Sequence, residues 1–326
     1  MKDEILKVLM TTKEYVSGAG LSETLGVSRT AIWKAIHKLK DEGYEIEAVP
    51  NRGYRLLIET TNLVETAIRL HLSKASRFTT IKIYETVDST NSEAKRLKVN
   101  KSMNEGLIIA KEQTAGKGRR GKNWTSAKDE GIWASLVLVP DIPPTIASML
   151  TLIAGMSATM AIEDRTGLEV GIKWPNDLVI SGKKVCGILT EMSTEADYIN
   201  HVVVGIGINV NQTFFEEALK DVATSLKIEL GREVNRVEIL TTFLNHFETL
   251  YEKFLKIMDL SFMIDKYNSM CVNVDQELRI IEHGATKQAT GIKVTDQGGL
   301  MVRNKEGNTE IIYAGDVSIR GINGYV

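Results

Sequence analysis

The chain has 326 residues, more than one ordinary domain of roughly 100–200 residues holds, so two or three domains are expected. Its 43% hydrophobic and 25% charged residues exclude a disordered or fibrous chain. A net charge of −2 carries no global sign of a nucleic-acid partner, so any basic surface must be local.

Residues 1–62 predict three short helices and a hairpin. Ile5, Leu6, Leu9 and Met10 recur at helical spacing. A second helix is expected over 21–25, with Ser22 as its cap and Gly26 as the turn after it. Ser28 is placed to cap a third helix ending near Lys40, inside which Ile32, Ala35, Ile36 and Leu39 share a face. YEIEAV, the turn PNRG and YRLLI then make a hairpin. Helix, glycine turn and helix is the spacing of a helix-turn-helix, and the hairpin would be its wing. Ser28, Arg29 and Thr30 at the start of the third helix, Lys34 within it and Arg52 in the wing turn are the candidate DNA contacts. The competing reading is a helical module for protein contacts, whose basic residues are merely solvated. The concentration of cations on the two elements that would touch DNA favours DNA.

Residues 63–272 predict a mixed α/β domain with much antiparallel pairing. IKIYETV, GLIIAKEQ, IWASLVLV, GIKWPNDLVI, VCGILTEM and HVVVGIGINV read as strands, and long helices fit over 146–165 and 237–256. From 273 to 326, short alternating segments separated by HGA, DQGG and KEGN predict a small all-β barrel.

The densest chemistry lies in EQTAGKGRRGKNWTS, residues 112–126. Its GxGxxG string, and the seven P-loop positions of 116–122, should each open a helix, whereas a strand follows here. Bare glycine amides with Lys117, Arg119, Arg120 and Lys122 nevertheless suit a polyphosphate or a developing phosphoryl charge. In KWPNDLVISGKKVCGIL, Pro175 sets a bend that presents Asn176 and Asp177. GIGIN (205–209) puts two glycines in a strand, a sign of close approach by a ligand or another backbone. DSTN (88–91) is a hydroxyl and amide cluster, or simply a helix cap for NSEAKRL. No nucleophile elbow or Cys–His pair occurs, so positioning and charge neutralisation are the expected means of catalysis.

Cys186 and Cys271 form no disulfide framework and no zinc site, and His37, His71, His201, His246 and His283 lack ligand spacing. The start MKDEILKVLM lacks the apolar core of a signal peptide. The apolar stretch 150–162 is interrupted by Thr151, Ser157 and Thr159 and is too short for a bilayer, so a cytoplasmic protein without a membrane partner is expected.

DSTN, QTAGKGRRGKNW, KWPND with KKVCGI, and GIGIN, in that order, resemble the bifunctional biotin protein ligases that also repress transcription. The resemblance spans the whole chain. It implies a winged helix-turn-helix (1–62), a catalytic α/β domain (63–272) and an SH3-like C-terminal barrel (273–326). It also implies an ATP-dependent, AMP-forming reaction through biotinyl-AMP, with transfer of biotin to a lysine of a carboxylase carrier domain. Ser89, Thr90, Asn91 and Gln113 match the family's biotin contacts. Gly116, Lys117, Gly118, Arg119 and Arg120 match the loop over biotin and the adenylate phosphate. Lys184, with Gly187 nearby, matches the lysine on the carboxylate and phosphate oxygens. Trp124 matches the residue against adenine, and Asn209 a further nucleotide contact. Asn176 and Asp177 match polar residues near Mg2+ and the reacting lysine, which makes Lys184, Arg119 and Asp177 the catalytic candidates. The metal would come with ATP rather than in a protein cluster. Operator DNA and a ligand-promoted homodimer are the further partners implied. Lys117 and Lys122 stand where the family usually has arginine, which keeps the charge and loses the planar two-donor fork.

Overall fold

The computed structural model describes every residue except 13, 59, 74, 100–104, 196–197, 283, 316, 322–323 and 326. His283 therefore lies outside the described residues. The chain divides into two compact units: Met1–Leu72 with Asn235–Thr241, and Ser73–Val234 with Thr242–Val326.

The first unit holds α1 (Lys2–Thr11), α2 (Gly18–Leu25), α3 (Arg29–Asp41), β1 (Glu45–Val49), β2 (Gly53–Ile58) and α4 (Glu65–His71). Ile5, Leu6, Leu9, Leu21, Ile32, Ala35, Ile36 and Leu39 are its buried core, one stripe per helix. Ser28 caps α3 by accepting from the Ala31 amide at 3.2 Å. α2 differs from expectation: it starts three residues early, and Ser17, not Ser22, caps it, accepting from the Gly20 amide at 2.9 Å. Ser22 lies inside the helix, where its hydroxyl donates to the Val27 carbonyl. Gly26 closes α2 at φ 65°, the left-handed cap that lacks a Cβ penalty. β1 and β2 pair antiparallel as the expected hairpin.

The second unit contains β3 (Ile81–Val87), α5 (Thr90–Val99), β4 (Gly106–Gln113), β5 (Gly131–Leu138), α6 (Met149–Thr166), β6 (Gly171–Lys173), β7 (Asp177–Ile180), β8 (Lys183–Glu195), β9 (Tyr198–Asn209) and α7 (Leu226–Leu230). Helix α8 (Arg236–Ile257) begins among the residues grouped with the first unit and continues in the second. α9 (Ile264–Met270) follows. Seven strands form one sheet in the order β3-β4-β5-β9-β8-β7-β6. Only β3 and β4 run parallel, because α5 supplies the crossover that a parallel pair requires. The expected strand through 171–180 is two strands, since Pro175 has no amide to donate to a ladder. β5 is buried along its whole length and α6 along most of its own. The helix expected over 146–165 is α6, and an 18-residue window of Pro144–Thr166 is long and apolar enough to cross a membrane, with a mean hydropathy of 1.7, yet 72% of that window is buried inside the fold as a core helix.

Beyond α9 come β10 (Glu277–Glu282), β11 (Ala285–Val294), β12 (Leu300–Arg303), β13 (Thr309–Ile312) and β14 (Val317–Gly321). They pair antiparallel in the order β13-β12-β11-β10-β14. The expected barrel is an open five-stranded sheet among the described residues. β14 takes the free edge of β10, which leaves β13 and β14 as unpaired edges.

Candidate functional site

A cleft with about 50 Å³ of enclosed space opens over β8 and β9, and four separate segments of the sequence meet in it. Ser89, Thr90 and Asn91 arrive at the start of α5, and Gln113 at the end of β4. Lys117, Gly118, Arg119 and Trp124 come from the glycine loop, Asn176 from the β6–β7 bend, and Lys184 and Gly187 from β8. Gly205 and Gly207 form the floor on β9.

The hydroxyl and amide cluster is wired before any ligand arrives. Gln113 Oε1 accepts from the Thr90 amide at 2.8 Å and from the Thr90 hydroxyl at 3.1 Å, while its Nε2 donates to Ser126 Oγ at 2.7 Å. Buried Ser135 donates to Asn91 Oδ1 at 2.6 Å. Asn91 Nδ2 donates to Glu191 Oε2 at 2.8 Å, and Lys95 pairs with the other oxygen of that carboxylate at 2.5 Å. Each side chain thus has a fixed orientation, as preorganised recognition of a polar ligand requires. Ser135 and Glu191 escaped the sequence analysis; a lone hydroxyl in the apolar run IWASLVLV was the only hint of the first.

The glycines of β9 make room for side chains that lie directly against them. A Cβ on Gly205 would lie 2.2 Å from Asn91 Oδ1, and one on Gly207 would lie 2.6 Å from Trp124 Nε1. Trp124 therefore rests on bare backbone, edge-on to Trp133 at 6.4 Å. Its buried indole N–H has no hydrogen-bond partner among the described residues.

The glycine loop is a closed turn and does not open a helix. Gly118 donates to the Lys122 carbonyl at 2.7 Å, Trp124 donates to the Gly116 carbonyl at 2.9 Å, and Arg120 takes a left-handed φ of 57°. Gly116 is buried in this closure, where a Cβ would meet the Trp124 carbonyl at 2.3 Å. Lys117 donates to Ser92 Oγ at 2.7 Å. Arg119 bonds Asn176 Oδ1 at 2.8 Å and the Gly315 carbonyl at 2.7 Å. Arg120 lines a second cleft of about 290 Å³ that shares Arg119 and Asn176 and runs past Thr151 and Met192.

Asp177 is the hub of the opposite wall. It pairs with Lys184 Nζ at 2.5 Å and accepts from Asn176 Nδ2 at 2.9 Å and from the Tyr325 hydroxyl. Burial pushes its pKa up, but the charge of Lys184 and these hydrogen bonds outweigh it and hold the carboxyl below its ordinary range. Lys184 Nζ also stands 5.0 Å over the Trp124 ring. Beneath lies Lys173, 4% exposed, whose ammonium is 3.5 Å from the centre of the Tyr325 ring. Burial lowers its pKa to about 7. The phenol of Tyr325 is itself pushed up by burial and by Asp177, which keeps it a donor. Lys173 and Tyr325 were missed; nothing in the sequence ties a tail tyrosine to this bend.

Asn209 ends β9, two residues beyond Gly207 of the cleft floor. It is 5% exposed, donates to the Thr224 carbonyl at 3.0 Å and accepts from Gln212 at 3.3 Å, so it pins the loop after β9. Among the described residues no group of three or more His, Cys, Asp or Glu side chains gathers.

In the first unit, Arg29, Thr30, Trp33, Lys34, His37 and Lys38 are all exposed on one side of α3. Ser28 spends its side-chain oxygen on the cap. Arg52, at the tip of the β1–β2 hairpin, stacks 4.2 Å over the Tyr15 ring. Trp33, 53% exposed and 4.1 Å from the His37 ring, belongs to this face and was also overlooked.

Residues 83–209 match the model of the biotin/lipoate A/B protein ligase family, and residues 2–55 match a helix-turn-helix domain. The chain is 37% identical over 322 residues to the bifunctional ligase/repressor BirA of Bacillus subtilis, with 98% of both chains covered. The chain belongs to the biotin protein ligase family. The Escherichia coli bifunctional ligase/repressor BirA is 26% identical over 98% of this chain and 99% of its own. The biotin protein ligase of Aquifex aeolicus, solved in complex with biotin and ATP, superposes with a TM-score of 0.66 at 30% identity, covering 75% of this chain and 100% of that one. For a biotin protein ligase, the cleft combines the polar wall, the cations and the aromatic surface that a small acid and a nucleotide together demand.

Proposed function

We propose that this chain is an ATP-dependent biotin–protein ligase that also represses transcription, with biotinyl-AMP as intermediate and corepressor. One observation carries the reading: the wired polar group of Thr90, Asn91 and Gln113, the cations Lys184 and Arg119, and Trp124 share a single cleft. In the first step a biotin carboxylate oxygen attacks the α-phosphorus of ATP. The new P–O bond replaces the bond to the β-phosphate, and pyrophosphate leaves. In the second step the amine of a carrier-domain lysine attacks the acyl carbon; the C–N bond forms, the bond to the phosphate oxygen breaks, and AMP leaves. Ser89, Thr90, Asn91 and Gln113 take biotin's polar end. Lys184 and Arg119 neutralise the reacting carboxylate and phosphate, and Gly187 leaves room for Lys184, since a Cβ there would stand 3.0 Å from its Nζ. Trp124 takes the flat base. The partners of Asp177 favour a role in holding Lys184 over one in binding metal, so Mg2+ enters on the ATP phosphates.

We divide the chain into a winged helix-turn-helix (1–62), a catalytic domain (63–272) and an SH3-like C-terminal module (273–326), the last supported by its five antiparallel strands. The partners are a carboxylase carrier domain and palindromic operator DNA, which a ligand-promoted homodimer in the cytoplasm would read through two copies of α3. The test is to mix the protein with biotin, Mg-ATP and a carrier domain and to weigh the carrier. One biotinyl group on one lysine is expected. Incorporation of lipoate or octanoate instead would move the chain to the lipoate side of its family.

A further inference from the structure

We propose that Tyr325, in the C-terminal tail, is a positioning residue for adenylate formation, acting through Asp177 on Lys184. The argument rests on this chain being a biotin ligase and on three contacts. The Tyr325 hydroxyl donates to Asp177 Oδ2. Lys184 Nζ pairs with Oδ1 of the same carboxylate at 2.5 Å. The Tyr325 ring is held from below by Lys173, 3.5 Å from its centre, and flanked by Arg320 at 5.0 Å. Lys173 below the ring and the Arg320 guanidinium beside it fix its position.

Lys184 has two jobs that conflict. Asp177 aims it, yet during adenylation its ammonium must turn to the substrate oxygens. With Oδ2 bare, the full charge of the carboxylate would bear on Lys184 and hold it too tightly. The tyrosine proton takes up part of the carboxylate's charge, so Asp177 keeps the lysine in line and still lets it exchange partners. Asn176 Nδ2 shares Oδ1 with Lys184, and among the described residues Tyr325 is the donor to Oδ2. The burial that raises the phenol's pKa keeps this proton in place through the neutral range.

The test compares Tyr325→Phe and Tyr325→Leu with the full-length wild-type protein, measuring pyrophosphate release with saturating Mg-ATP and biotin. A second assay supplies synthetic biotinyl-AMP and follows transfer to the carrier lysine. Phe keeps the ring over Lys173 and removes only the hydroxyl. We expect Tyr325→Phe to lower the adenylation rate about tenfold, the scale of one hydrogen bond to a charged group. The biotin KM should stay within about twofold, and transfer from added biotinyl-AMP should be unchanged. Tyr325→Leu should lose at least as much as Phe. Wild-type adenylation in Tyr325→Phe, with loss only in Tyr325→Leu, would mean that the ring merely packs and would overturn the proposal. Equal loss in both assays would do the same, by showing a general defect. Failure of the wild-type protein to ligate biotin would sink the ligase reading itself and is visible separately.

Discussion

Replacing Lys173 with methionine should stabilise the protein, and by more at low pH than at high pH. Lys173 is 4% exposed, and burial brings its pKa from an ordinary 10.5 to about 7. Methionine fills nearly the same volume with no charge to desolvate. The lysine's pKa is lower in the folded state, so between pH 7 and 10.5 the unfolded chain binds the extra proton and stability rises with pH. The penalty for carrying the lysine is therefore complete below pH 7 and vanishes above 10.5. The gap between about 7 and 10.5 amounts to about 5 kcal/mol at pH 6 and about 2 kcal/mol at pH 9, an advantage for methionine that shrinks by about 3 kcal/mol. Lost attraction to the Tyr325 ring takes back part of it, about 1 kcal/mol. Urea unfolding of both proteins at pH 6 and pH 9, followed by tryptophan fluorescence, reads the difference, because Trp174 is adjacent and buried. An advantage of the same size at both pH values would refute the argument, since it would mean that Lys173 stays charged throughout.

Lys184→Ala should slow adenylate formation by roughly 100-fold, whereas Arg119→Gly, by cutting the bonds to Asn176 and Gly315, should release biotinyl-AMP and label bystander lysines. Streptavidin blotting of added albumin separates the two. Gly205→Ala drives a methyl to 2.2 Å from Asn91 Oδ1, so biotin affinity by calorimetry should fall at least about tenfold with about 1–3 kcal/mol of stability lost. Gly155→Ala, whose methyl would meet only Ile188 at 3.7 Å, serves as the neutral control. Arg29→Ala with Lys34→Ala should weaken operator binding strongly and flatten its salt dependence while ligation continues, as judged by gel shift and carrier mass. This pair is a cleaner test than deletion of 1–62. The deletion strips the unit that Asn235–Thr241 groups with, and Ile239 and Leu240 of that segment are fully buried.

Local patterns were enough for most of the elements. α3 was legible because Ser28, an apolar stripe and a glycine each mark it within one turn. The strands β3, β4, β5 and β9 were legible because buried β-rich runs between turn residues look like little else. The glycine loop was legible as chemistry, since cations among glycines have few other uses. α2 began early because Gly18 and Gly20 have poor helix propensity and hid the true cap, and packing of Leu21 overrode that propensity. The C-terminal barrel was inferred from alternation, which reports which face of a strand is buried but not which strands meet at an edge.

The sequence by itself determined which residue types would be available: two polar amides, two hydroxyls, a run of cations and an indole, each in its own short segment. Their meeting in one cleft was decided by the sheet order, which sets β8 and β9 beside each other and brings α5 and the glycine loop over them. Only the tertiary structure gave Asn209 its partners in Thr224 and Gln212, because a side chain's direction depends on which neighbour claims its hydrogen bonds. It alone joined Tyr325 to Asp177, 148 residues apart, a contact that no spacing in the chain encodes.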